Sequence, residues 1–287
     1  MPRSLDAAPA RRGVMLPLCA LAAGITILIS AFTSARFARA EPTRAVPAPA
    51  PPAATPGPDA PSLPPPPPTL PLPAQRVAIA DDRGRSIEIY PPIEAKARPS
   101  APLVVFLHAT CMDPRPVCDL VGKSGREGTF LVCPSGNDTC FGAPDWHGTG
   151  EVKSAFLTSA LDKVEQRFGK YVAHDDTLIG WSRGAFAARD ILYADVAAGA
   201  APRFTSLVLI AADVTPDADK LRKAGIRRVF LTAGDRDGSR GTMKRAADKL
   251  VAAGIPARFA SLGPIGHWLP DDLDARLAPG IAWAREK

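Results

Sequence analysis

The stretch Thr177-Leu178-Ile179-Gly180-Trp181-Ser182-Arg183-Gly184-Ala185-Phe186 decides how this chain is read. An apolar run ends at Trp181, a Gly-x-Ser-x-Gly string occupies 180–184, and a helical pattern follows over 183–193. A strand that turns straight into a helix at a serine forces that serine into a strained conformation and exposes its hydroxyl. Glycines at 180 and 184 allow strand and helix to approach where a Cβ would collide. Arg183 then offers a backbone N–H at a helix N-terminus, where developing negative charge is stabilised. The plainer reading of the same string is a glycine-flanked turn serine.

Outward from this point the chain alternates. Before it, residues 103–107 (LVVFL) and 129–133 form continuous apolar runs, as expected of strands buried on both faces. After it, 206–211 and 228–233 are of the same kind, and 257–262 is weaker. Helical patterns fall between them, at about 152–168, 183–193, 218–224 and 242–253, with 270–285 closing the chain. Residues 76–80 and 86–90 alternate across Asp81-Asp82-Arg83-Gly84 and read as a hairpin. The expected fold is α/β: a mostly parallel sheet with helices on both faces and an antiparallel hairpin at its N-terminal edge.

A serine hydroxyl is a poor nucleophile until a base takes its proton. Of the four histidines, His108, His147, His174 and His267, only His267 follows the serine, in Gly266-His267-Trp268 on a loop after the last strand. An acid to orient that base belongs between them at another strand end. The run 228–233 leads into Gly234-Asp235-Arg236-Asp237, and either aspartate qualifies.

Serine, aspartate and histidine in this order, each after a strand of a parallel sheet, resemble the α/β-hydrolase superfamily over residues 75–287. Within it the chain is most similar to lidless esterases of the polyhydroxybutyrate-depolymerase-like and dienelactone-hydrolase-like groups. The resemblance implies Ser182 as nucleophile, His267 as base and, from a Gly-x-x-Asp spacing, Asp237 as acid in preference to Asp235. It implies an oxyanion hole built from the backbone N–H groups of Arg183 and Thr110. Relatives often carry His-Gly after the third strand, whereas this chain has His108-Ala109-Thr110-Cys111, so a positive-φ turn at Ala109 would be costly. His108 itself reads as a structural strand-end residue. The implied activity is hydrolysis of a small-molecule or polymeric carboxylic ester through an acyl-enzyme, with no metal or organic cofactor. A serine peptidase of the same fold and a non-catalytic surface domain retaining the fold are the alternatives.

Only about 15 residues join the run ending at 211 to the next at 228, too few for an inserted lid. Trp146, Trp181 and Trp268 lie near expected strand ends, placed either to line a cleft or to fill the core. Cys111, Cys118, Cys133 and Cys140 favour two disulfides in an exported domain. Of the three pairings, Cys111–Cys118 and Cys133–Cys140 are preferred because each closes a short loop at the catalytic end, with modest stabilisation. Their six-residue gaps do not match a zinc finger.

The first 74 residues are of a different kind. Arg3, Arg11 and Arg12 precede an uncharged run over 13–34, followed by Ala38-Arg39-Ala40. Residues 1–40 therefore read as an export signal cleaved after Ala40, or, uncleaved, as a membrane anchor with Cys19 inside its apolar run. Residues 41–74 hold 15 of the 32 prolines. Such a segment favours extended polyproline II and would make a disordered spacer reaching on the order of 100 Å. The catalytic domain is expected at 75–287, outside the cytoplasm, either anchored or released. The net charge of +6 is shared about equally between residues 1–74 and the remainder, which gives no electrostatic reason to expect nucleic acid.

Overall fold

The computed structural model describes residues 75–93 and 100–286. The leader and the proline-rich spacer expected at 1–74 lie outside these residues, and no helix among the described residues is long and apolar enough to cross a membrane. The strands are β1 (Val77–Ala80), β2 (Ser86–Tyr90), β3 (Leu103–Leu107), β4 (Phe130–Pro134), β5 (Asp138–Cys140), β6 (Ala143–Asp145), β7 (Asp176–Trp181), β8 (Phe204–Ile210), β9 (Arg228–Ala233) and β10 (Ala257–Ser261). The helices are α1 (Pro114–Val121), α2 (Gly150–Phe168), α3 (Arg183–Ala198), α4 (Ala218–Lys223), α5 (Arg240–Ala252) and α6 (Leu273–Ala284).

Eight strands form one sheet in the order β1-β2-β4-β3-β7-β8-β9-β10. The pairs β1/β2 and β2/β4 are antiparallel, and every pair from β4/β3 to β9/β10 is parallel. The two faces divide the apolar runs residue by residue. Leu103, Val105 and Leu107 of β3 join a core with α2, α3 and α5, while Val104 and Phe106 join a second core with α1 and α6. β8 divides in the same way, Leu207 and Leu209 against Val208 and Ile210. Burial on both sides is why these strands show no polar alternation.

Two elements depart from the sequence expectation. Helix α1 was not anticipated, because Pro-Arg-Pro opens it and it spans only eight residues. Its first turn tolerates proline, since those N–H groups have no intrahelical acceptor, and the Asp113 carboxylate caps it by accepting from the Arg115 amide. The second is the small β5/β6 hairpin, whose three-residue strands carry no apolar pattern. Between β8 and β9, residues 211–227 hold only the short helix α4.

These two elements also correct the disulfides. The bonds are Cys111–Cys140 and Cys118–Cys133, with Cα atoms 5.3 and 6.6 Å apart, not the sequence-adjacent pairs. Helix α1 lays Cys118 on the buried face of the sheet beside Cys133 of β4, and the hairpin returns Cys140 to the loop after β3. The closed loops span 15 and 29 residues, so each bond stabilises by about 3–4 kcal/mol in chain-entropy terms, more than the short loops would have done.

Candidate active site

Ser182 sits between β7 and α3 at φ 52° and ψ −114°. Its amide donates to the Ile210 carbonyl at 2.8 Å and its carbonyl accepts from the Ala185 amide at 3.0 Å, so neighbouring β8 and the first turn of α3 hold the strained residue in place. A Cβ at Gly180 would lie 2.4 Å from the Gly184 carbonyl oxygen, and one at Gly184 would lie 2.0 Å from that of Leu107. Both positions require glycine for close approach.

The Ser182 hydroxyl lies 2.8 Å from Nε2 of His267, and Nδ1 of that ring lies 2.9 Å from Oδ2 of Asp237. The other Asp237 oxygen accepts from the amide and the hydroxyl of Ser239, each at 2.8 Å. Burial opposes charge on Asp237, but the two Ser239 donors and the His267 ring outweigh it and hold the carboxyl below its ordinary range. A carboxylate facing Nδ1 selects the tautomer with hydrogen there, which leaves Nε2 free to accept the serine proton. Asp235 faces elsewhere, towards Arg240 at 3.2 Å and the Ser261 hydroxyl at 2.6 Å.

The loop after β3 lies against the start of α3. Nε of Arg183 donates to the Thr110 hydroxyl at 3.3 Å, and the backbone amides of neither residue donate to an acceptor among the described residues. Ala109 takes no positive φ, as the cost to an alanine implies; that conformation falls on Cys111, at φ 50°. Ala109 instead packs in the second core. His108 is fully buried, its ring nitrogens facing the carbonyls of Ala109 at 2.7 Å and Ser135 at 3.0 Å, and burial holds its ring below the ordinary imidazole value.

The three tryptophans separate. Trp146 lies wholly inside the core between His108 and Phe156 of α2, at centroid distances of 5.6 and 5.8 Å, and lines no cleft. The hairpin runs back towards α2 and takes Trp146 with it. Trp181 and Trp268 flank Ser182 and His267 in sequence and meet edge to face at 5.8 Å. They wall a cleft of about 310 Å³ together with residues of the α1 side, among them Met112, Val117 and Leu120.

Two further features escaped the sequence reading. The α1 wall was signalled by Val117, Leu120 and Val121 at helical spacing behind an Asp-Pro start. The other is Asp145, a buried carboxylate without a well-formed hydrogen bond, placed 2.8 Å from Nε2 of His147 and 3.9 Å from Nε of Arg183. Of its partners only His147 is near in sequence; Arg183 comes from the start of α3, so no local pattern announces their meeting. Cys111, Cys140 and Asp145 bring three potential metal-binding atoms together, but both sulfurs are committed to the disulfide.

No protein-family model matches the chain, and no curated protein matches it. Solved structures do. Esterase PE8 is similar at 19% identity and a TM-score of 0.53, over 72% of this chain and all of that one. A Pyrobaculum calidifontis esterase is similar at 13% identity and a TM-score of 0.52, covering 74% of this chain and 84% of that one. A ferulic acid esterase is similar at 14% identity and a TM-score of 0.53, covering 73% and 96%. The serine elbow at the sheet centre, the strand order and these likenesses lead to one conclusion: the chain has the α/β-hydrolase fold.

Proposed function

We propose that this protein is an exported serine hydrolase that cleaves carboxylic esters, with Ser182 as nucleophile, His267 as base and Asp237 as the orienting acid. The observation that carries the reading is the unbroken chain from hydroxyl to imidazole to buried carboxylate, at 2.8 and 2.9 Å. As Oγ attacks the ester carbonyl, Nε2 of His267 takes its proton, and Asp237 stabilises the imidazolium that forms. The tetrahedral oxyanion is received by the Arg183 and Thr110 amides. His267 passes the proton to the departing alkoxide as the acyl–oxygen bond breaks. Water, deprotonated by the same ring, then releases the acid from Ser182.

Esters are preferred to amides as substrates because the similar structures are esterases. Two disulfides agree with an oxidising compartment and with export directed by residues 1–40. The test is a fluorophosphonate probe with p-nitrophenyl esters and the matching anilides. Wild type is labelled and cleaves the esters, while Ser182→Ala is unlabelled and loses about 10⁴-fold or more in kcat/KM. Faster anilide cleavage would make the protein a peptidase, and a folded wild type that resists the probe would make it a binding domain. Mass spectrometry of the mature N-terminus distinguishes cleavage after Ala40 from retention of an anchor.

A further inference from the structure

We propose that the Trp181–Trp268 cleft binds an uncharged aromatic arm of the ester, joined to the reacting carbonyl by a short chain. The inference rests on the esterase reading and adds the substrate class. The cleft adjoins the reacting centre through two of its walls, since Trp181 and Trp268 are the chain neighbours of Ser182 and His267. Its third wall is the loop after Thr110 and helix α1, through Met112, Val117 and Leu120. At about 310 Å³ it stands at the small end of ligand pockets, room for a ring and a linker but not for a long lipid chain.

The chemistry of the walls selects the arm. Trp181 is 2% exposed and rigid within the second core, whereas Trp268 is 64% exposed and held edge to face against it. An exposed indole beside a nucleophile keeps a large apolar face in water until something covers it. A ring laid there gains an edge-to-face or offset-stacked interaction beyond its area, and the Met112 thioether adds a favourable sulfur–aromatic contact. An alkyl arm of equal size gains the area alone. The ionisable group bordering the cleft is Asp113, whose carboxylate is already held by Arg115. An anionic arm would face that carboxylate among apolar walls, which excludes it.

Two substrate series read the proposal in both orientations. In p-nitrophenyl esters the 3-phenylpropanoate is compared with the hexanoate and the succinate half-ester, and in acetates the 2-phenylethyl ester is compared with the hexyl ester. The expected result, in one series or the other, is a kcat/KM about two- to tenfold higher for the aryl member than for its alkyl match. Trp268→Leu keeps an apolar side chain, loses the ring, and brings that ratio towards one. Equal or faster alkyl turnover in both series, a ratio unmoved by Trp268→Leu, or rapid cleavage of the succinate half-ester overturns the proposal.

A second measurement separates its failure from that of the esterase reading. In Ser182→Ala, binding of methyl 3-phenylpropanoate is measured by isothermal titration calorimetry, with Ser182→Ala/Trp268→Leu as control. Binding that disappears in the double variant supports the aromatic cleft even if no ester is turned over. Absence of binding in the single variant counts against it. Ser182-dependent hydrolysis without any aryl preference leaves the esterase reading standing and removes this one.

Discussion

Nδ1 of His267 lies 2.9 Å from Oδ2 of Asp237, while Asp235, two residues earlier, is turned to Arg240 and Ser261. Both aspartates follow the same strand, but Asp237 is buried under His267 and Ser239 while Asp235 is exposed. A neutral amide at 237 can no longer hold Nδ1 protonated. Asp237→Asn is therefore expected to lower kcat by about 10³–10⁴, and Asp235→Asn by no more than a few fold. Steady-state kinetics on one ester decides it, and a larger loss at Asp235 would reassign the acid.

The Cys111–Cys140 bond ties the loop carrying Thr110 to the β5/β6 hairpin through Cys111, itself at φ 50°. The Cys118–Cys133 bond ties α1 to β4 further back. Replacing either pair by alanine is expected to cost about 3–4 kcal/mol in urea unfolding. Only the Cys111/Cys140 replacement should also lower kcat, because it releases the Thr110 amide. Equal kcat losses for the two pairs would contradict this placement.

Asp145 combines full burial with no well-formed hydrogen bond, beside the half-exposed Arg183 and His147. Its carboxylate holds the Arg183 guanidinium near Thr110 at a desolvation cost to the fold. Asp145→Asn should leave stability unchanged or raise it by about 1 kcal/mol while lowering kcat about tenfold. Thermal melting and kinetics on the same preparation test the opposed signs; a loss of both would make Asp145 purely structural.

Asp176 opens β7 at the end of the sheet away from Ser182, accepting from the Leu103 amide at 2.8 Å and from Arg203 at 3.0 Å. Burial outweighs those partners and pushes its carboxyl up to about 6. A raised carboxyl favours the protonated folded state, so its stabilisation is complete below the unfolded value near 4 and is lost as pH rises through about 6. Relative to Asp176→Asn, wild type should lose on the order of 3 kcal/mol between pH 4 and pH 7. Urea titrations across that range read the difference, and a gain with rising pH would refute it.

The main strands were legible because burial on both faces demands unbroken apolar runs, as in Leu103–Leu107, and few other structures tolerate them. The Ser182 elbow was legible because two close backbone approaches require glycine at 180 and 184. Helix α1 was obscured by its prolines, although the Asp113 cap and the spacing of Val117, Leu120 and Val121 were present. Alanine at 109 made a positive-φ turn there costly, and the left-handed residue is Cys111, two places on, which no sequence signal marked.

What the chain's own order determined is the alternation of strand and helix, the strained serine between β7 and α3, and a histidine and two aspartates left at strand ends. These are local matters of periodicity and steric need, written in neighbouring residues. The strand end left Asp235 and Asp237 both open, and only the Gly-x-x-Asp spacing of the resemblance favoured Asp237, the residue that meets His267. Tertiary structure alone decided that Cys111 joins Cys140, that Trp146 goes to the core while Trp268 stays at the cleft, and that Asp145 lies near Arg183. Each of those depends on where a loop or hairpin returns in space, and contacts between residues tens of positions apart leave no periodic trace in the sequence.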